Sequence, residues 1–174
     1  MKYKHIKKER VFKNEHFSVY EEDLILPNGN KVRWTFLKNY RTVGVIAFTP
    51  EGKLLMVKQY RPALEKEIIE IPAGLVDPGE DVEKAAMREL EEETGYKAGK
   101  MTKVCEYFRS PGVSASMMYI YHAENLVKTR QNLDEDEFLE VLEFDKKDID
   151  ELLKTPLDGK TIYALNYTKS YLIK

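Results

Sequence analysis

Between Val82 and Thr94 the apolar residues Val82, Ala85, Ala86 and Leu90 recur at the spacing of one helix face. No Gly or Pro interrupts this stretch, and Ala, Leu, Met, Glu, Lys and Arg dominate it, all good helix formers. Asp77-Pro78-Gly79 makes a turn ahead of it, Asp81 suits an N-cap, and Gly95 stands where a left-handed C-terminal cap is expected. The pattern predicts a helix over 82–94. Its amphipathicity is broken in one place. At about 100° per residue, Glu89 and Glu93 fall in the middle of the apolar face and Glu92 on its shoulder. Glu83, Lys84, Met87 and Glu91 point the other way.

The remaining pattern is mostly of strands. Residues 17–26 and 31–37 are rich in β-formers and are joined by Pro27-Asn28-Gly29-Asn30, which predicts a hairpin. Val43 to Phe48 reads as a buried strand, and Pro50-Glu51-Gly52 turns it into a second over Lys53 to Tyr60. Ile68 to Ile71 leads through Pro72-Ala73 into the helical stretch. Further strands are expected over Met101 to Phe108, Met117 to His122 and Phe138 to Phe144. Amphipathic helices are expected over Lys146 to Lys154 and Lys160 to Leu172.

A chain of 174 residues with 43% hydrophobic and 33% charged residues suits one well-buried domain with a small extension. The net charge of −2 supplies no global basic field, so nucleic acid is not an expected partner. The basic start, MKYKHIKKER, is read as a solvated terminus rather than a nucleic-acid arm. Neither a membrane span nor the apolar core of a signal peptide is expected. Cys105 is the only cysteine, which fits a reducing cytoplasm. His5, His16 and His122 show no metal-ligand spacing.

The two glutamates on the apolar face set the chemical problem. Like charges four residues apart repel by a few tenths of a kcal/mol, and each unpaired buried charge costs several more. No Lys or Arg shares that face, since Arg88 is turned to the flank. Oxygen-only ligands favour a hard dication, Mg²⁺ or Mn²⁺, over zinc. An ordinary solvated acidic helix is the alternative, and the apolar face argues against it. Other residues carry two readings each. Arg61 at a strand end is a surface charge or a forked contact to phosphate. Trp34 is a core anchor or a flat stacking surface. The loop Arg109 to Ser114, with Ser110 and Pro111, is a tight connection or a polar ligand contact. The acidic run Asn132 to Glu137 is a solvated loop or the source of a general base.

From Gly74, five residues precede Glu80, and seven more precede Arg88-Glu89-Leu90; Glu92-Glu93, Gly95 and Tyr96 follow. This arrangement resembles the Nudix box. Seven identities at background frequencies of about 6–7% recur by chance on the order of once in 10⁸ start positions. Val57-Lys58-Gln59-Tyr60-Arg61-Pro62, Glu70-Ile71-Pro72-Ala73-Gly74 and Ser110-Pro111-Gly112 are similar to the ADP-ribose pyrophosphatases of that superfamily.

The resemblance implies an α/β (α+β) fold, an α/β/α sandwich around a mixed sheet. Residues 1–40 would form an N-terminal β-hairpin extension and 41–174 the hydrolase domain. It implies Mg²⁺ held by Glu89, Glu93 and the Ala73 carbonyl, with Glu137 as an additional ligand. Glu92 would support them, Arg88 would orient them, and Glu135 would act as base. Arg61, Ser110 and Pro111 would contact a small nucleotide substrate. Relatives are commonly homodimers whose N-terminal strands build the neighbour's adenine pocket, which would give Trp34 its place. The implied reaction converts ADP-ribose to AMP and ribose 5-phosphate. The alternatives are another nucleotide sugar, dinucleotide or damaged nucleotide, or a binding module without turnover.

Overall fold

Helix α1 (Val82–Thr94) forms as its pattern predicts. Asp81 Oδ1 accepts the Glu83 and Lys84 N–H groups, each at 3.1 Å, and Gly95, at φ 69°, closes the other end with its N–H on the Glu91 carbonyl. The positive φ is what selects glycine there. The coordinates are a computed structural model and describe residues 1–39, 41–135 and 137–173, Asn39 by its backbone alone. Of the acidic run, Asp136 therefore lies outside the described residues.

The chain divides into two compact units. The first comprises Met1–Arg41 and Tyr107–Met117. Its sheet is antiparallel, in the order β1 (Lys4–Lys13), β2 (Phe17–Ile25), β3 (Lys31–Asn39). The expected hairpin is present as β2 and β3, with Gly29 at φ 89° in its turn. The basic terminus is exposed, as expected of a solvated terminus, and it also forms strand β1, paired with β2. Its cations explain why. His5 hydrogen-bonds Glu22, and the Lys8 ammonium lies 4.5 Å from the Phe36 ring centre and 5.3 Å from that of Tyr20. The loop carrying Ser110 and Pro111 adds to β3, where the Leu37 N–H donates to the Val113 carbonyl at 2.7 Å.

The second unit comprises Thr42–Glu106 and Met118–Lys174. One sheet is antiparallel, in the order β10 (Leu139–Phe144), β5 (Leu54–Arg61), β6 (Lys66–Glu70). The other is mixed, in the order β7 (Ala73–Leu75), β4 (Thr42–Ala47), β9 (Met117–Lys128), β8 (Tyr96–Phe108). The outer ends of β8 and β9 belong to the first unit. The mixed α+β class holds, with the strands shared between two sheets. Every residue of β4 is buried, as its continuous apolar run requires, and it pairs parallel with β9 and antiparallel with β7.

Ala85, Ala86 and Leu90 of α1 pack against Val43, Val45, Leu55, Tyr121 and Ala123. Met87 joins this core, although the helical wheel turned it outward; its long unbranched side chain reaches back. The stretch expected as a helix over 146–154 is a 3-10 turn, Lys146–Asp148, followed by the short α2 (Ile149–Leu152). The last helix is α3 (Gly159–Tyr167), continued by a π-helical turn, Thr168–Leu172. Among the described residues, no helix is long and apolar enough to cross a membrane.

Candidate active site

The site lies on the inward face of α1, where strand β7 runs against it. Glu89 is 8% exposed and Glu93 only 1%. A Cβ on Gly74 would stand 2.1 Å from the Glu89 carboxyl group, so no larger residue fits while that carboxylate stays in place. The neighbouring Ala73 N–H donates to Glu93 Oε2 at 2.8 Å. Box helix and strand are thus fastened backbone to carboxylate, with Ala73 and Gly74 alongside both glutamates.

Arg88, on the flank of the helix, organises the outer carboxylates. Its Nη1 donates to Glu89 Oε1 and Glu92 Oε2, each at 2.9 Å. Nε and Nη2 hold Glu80 Oε1 and Oε2, each at 3.0 Å, and Nη2 also reaches the Leu75 carbonyl at 2.9 Å. This corrects the reading that no cation serves the inner face. Cα angles placed Arg88 on the flank, but its long side chain curls back to Glu89. Among the described residues Glu93 gains no such bond: the hydrogen bond its carboxylate receives comes from the neutral Ala73 N–H.

The electrostatics follow from that difference. Burial pushes the Glu89 carboxyl up to about 7, overriding Arg88, with Glu92 and Glu137 adding repulsion. Burial pushes Glu93 well above the ordinary range; the Ala73 N–H and, more weakly and through space, Lys160 oppose this, while Glu89 and Glu137 add to it. Glu93 also sits in the last turn of α1, the negative end of the helix dipole. Glu137 is therefore close enough to act on both helix glutamates. Glu135, exposed in the preceding turn, is not among the main charges felt by either.

What aims the acidic run at the helix was not foreseen from the sequence. The Thr129 N–H donates to the Gly95 carbonyl at 2.7 Å and the Asn132 N–H to the Glu92 carbonyl at 3.0 Å. Gln131 Nε2 donates to the Glu93 carbonyl at 2.7 Å. These donors satisfy carbonyls that the end of a helix leaves open. The polar stretch Thr129 to Asn132, directly ahead of the acidic run, was the available signal.

The other candidates are placed as follows. Arg61, at the end of β5, forks onto Glu70, with Nε to Oε1 at 2.6 Å and Nη2 to Oε2 at 2.8 Å. Trp34 is half exposed against Tyr3, ring centres 6.0 Å apart, so it is not a core anchor. Ser110 and Pro111 are exposed in their turn, where the Ser110 carbonyl accepts the Val113 and Ser114 N–H groups. Trp34, Ser110 and Pro111 belong to the first unit, and the box helix, Arg61 and Glu137 to the second.

Among the described residues, no three acidic, histidine or cysteine side chains already converge as an ion cage. The donor chemistry nevertheless fits a hard dication. All available ligands are oxygens, negative charge is buried in excess, and burial, with repulsion from neighbouring carboxylates added, raises the proton affinity of Glu89 and Glu93. A dication would relieve the repulsion that protons otherwise relieve.

The sequence profile of the NUDIX domain matches residues 38–165. The chain is 44% identical over 168 residues to the ADP-ribose pyrophosphatase of Bacillus subtilis (strain 168), covering 94% of this chain and 91% of that one. It is 40% identical over 171 residues to the methanol dehydrogenase activator of Bacillus methanolicus, at coverages of 94% and 91%. A solved structure described as an ADP compounds hydrolase superposes with a TM-score of 0.89 at 27% identity, covering 99% of this chain and 95% of that one.

Proposed function

We propose a reaction for this chain, which belongs to the NUDIX domain family of hydrolases: cleavage of the pyrophosphate bond of a nucleoside diphosphate linked to a second group. ADP-ribose is the substrate that its 44% identical relative favours, with AMP and ribose 5-phosphate as products. The observation that carries this reading is the buried pair Glu89 and Glu93, short of positive charge on the very helix that bears the family signature.

Glu89, Glu93, Glu137 and the Ala73 carbonyl would hold Mg²⁺, with Mn²⁺ as a substitute. When bound, the ion supplies charge neutralisation on the phosphate oxygens and lowers the pKa of a coordinated water. The protein's own part is positioning. Arg88 keeps Glu89 and Glu92 in register, and Arg61 offers a fork to the diphosphate. Glu135, in the same anchored loop as Glu137, serves as base. Residues 1–40 serve as a dimerisation and pocket element, and 41–174 as the catalytic domain. The exposed Tyr3, Ile6, Val11, Phe12 and Trp34 on the first unit's sheet support a homodimer in which Trp34, Ser110 and Pro111 meet the substrate. The setting proposed is the cytoplasm.

Turnover of a panel comprising ADP-ribose, a nucleotide sugar, a dinucleotide and a nucleoside triphosphate tests the reading. The expected result is AMP and ribose 5-phosphate from ADP-ribose at the highest kcat/KM, abolished by EDTA and restored by Mg²⁺. Preference for another member would move the substrate. Absence of turnover across the panel would leave a binding module.

A further inference from the structure

A second cluster of buried charge lies at the N-terminus of α3. Glu70, the last residue of β6, is 1% exposed. Besides the Arg61 fork, its Oε2 accepts from the Lys160 ammonium. Lys160, with a side chain 10% exposed, also reaches Asp158 Oδ2 at 2.9 Å. Asp158 caps α3: its Oδ1 accepts the Lys160 and Thr161 N–H groups at 2.8 and 3.1 Å, and its Oδ2 accepts the Thr161 hydroxyl at 2.9 Å. The Thr161 hydroxyl accepts the Ile71 N–H at 3.1 Å. The run Asp158-Gly159-Lys160-Thr161 is thereby pinned to residues 70 and 71, just ahead of the Ala73 N–H that holds Glu93.

Within this cluster Lys160 stands between two carboxylates. Without it, Glu70 and Asp158 would lie near one another with no ammonium to bridge them, and Glu70 would lose its inner bond. The consequence falls on Arg61. Its Nε–Nη2 edge is spent on Glu70, while Nη1 has no hydrogen-bond partner among the described residues, and its side chain is 41% exposed. A guanidinium held by one edge on a rigid carboxylate presents its remaining donors in a fixed plane, ready for phosphate oxygens. Glu93 acts on the same guanidinium through space, which puts the fork within the field of the metal-site carboxylates.

We infer that Lys160 is a positioning residue for diphosphate recognition, acting through Glu70 to fix the fork of Arg61. The inference rests on the reading of Arg61 as a phosphate contact proposed above. Its signature is non-additivity, because Lys160 has nothing to position once Arg61 is gone.

The test is a double-mutant cycle on the full chain with Mg²⁺ present. Lys160→Met, Arg61→Ala and the double variant are compared for the Kd of ADP by calorimetry, and for KM and kcat with ADP-ribose. The expected result is ADP binding and KM weakened about tenfold or more in each single variant, the scale typical of lost supporting contacts. The double variant should be no worse than Arg61→Ala alone. Multiplying costs, or a Lys160→Met protein that binds ADP within twofold of wild type, would overturn the inference while leaving Arg61 in its role. An Arg61→Ala protein with unchanged ADP affinity would instead overturn the phosphate reading, and this inference with it. Should Lys160→Met not fold, Glu70→Gln/Lys160→Met removes both charges together and carries the same expectation in the same cycle.

Discussion

Two sets of buried or half-buried carboxylates lie in the second unit, and the fold treats them in opposite ways. Around Glu70 and Asp158, burial pushes both groups up, but Lys160 bears on both and Arg61 on Glu70, and each is held below the usual carboxylate range. Two anions meet two cations, and the cluster is complete within the chain. Around Glu89 and Glu93 the same burial wins. One guanidinium serves Glu80, Glu89 and Glu92 together, and Glu93 receives a single amide N–H. A balanced cluster pins elements together. An unbalanced one, kept on the inner face of a helix that could have carried it outward, is what supports the proposed cation site.

The comparison breaks first at Glu93. Glu93→Gln should lower kcat/KM by on the order of 10³-fold, since it removes a ligand whose effect is felt in the transition state. The same variant should melt no lower than wild type without metal, because it deletes a carboxyl group whose charged form burial already disfavours. Activity within tenfold of wild type would contradict this. Glu70→Gln should do the reverse for stability. Removing the shared anion takes the fork from Arg61 and leaves Lys160 with Asp158 alone, at a cost of about 3 kcal/mol. In a protein of this size that lowers the melting temperature by roughly 6–12 °C.

The pH dependence of the metal-free protein separates the clusters without mutation. Glu89 titrates near 7 when folded and near 4.5 when unfolded, so between these values the folded state holds the extra proton and stability falls as pH rises. Glu70 is shifted the other way: its contribution is present above the unfolded value of 4.5 and is lost as pH falls through its lower folded value. Denaturant melts across pH should therefore peak near 4.5 without metal and lose the upper decline when Mg²⁺ is saturating. The smallest effect is at the cap. Asp81→Ala should cost about 1 kcal/mol and leave kcat nearly unchanged, because it loosens the helix end remote from Glu93.

How much could be read beforehand divides along the same line. Helix α1, its caps and the inward glutamates are local facts, set by periodicity and by Asp81 and Gly95. What escaped was long in reach or distant in sequence. Strand β1 has too many lysines for an alternating pattern, and becomes a strand only because Glu22 and the rings of Tyr20 and Phe36 await it. Arg88 was placed by its Cα, not by the length of its side chain. The pairing of Lys160 with Glu70 spans 90 residues, and no spacing rule connects them. Arg61 stands out in the sequence for its place at a strand end; the buried carboxylate that fixes one edge of its guanidinium does not show there.

The dication proposed at Glu89 and Glu93 would displace their protons. Mg²⁺ titration of the metal-free protein by calorimetry at pH 6.5, repeated in buffers of different ionisation enthalpy, tests it directly. The expected result is proton release on binding, abolished together with the high-affinity phase in Glu89→Gln/Glu93→Gln. Binding of equal strength in that double variant, or binding with no proton released, would contradict it.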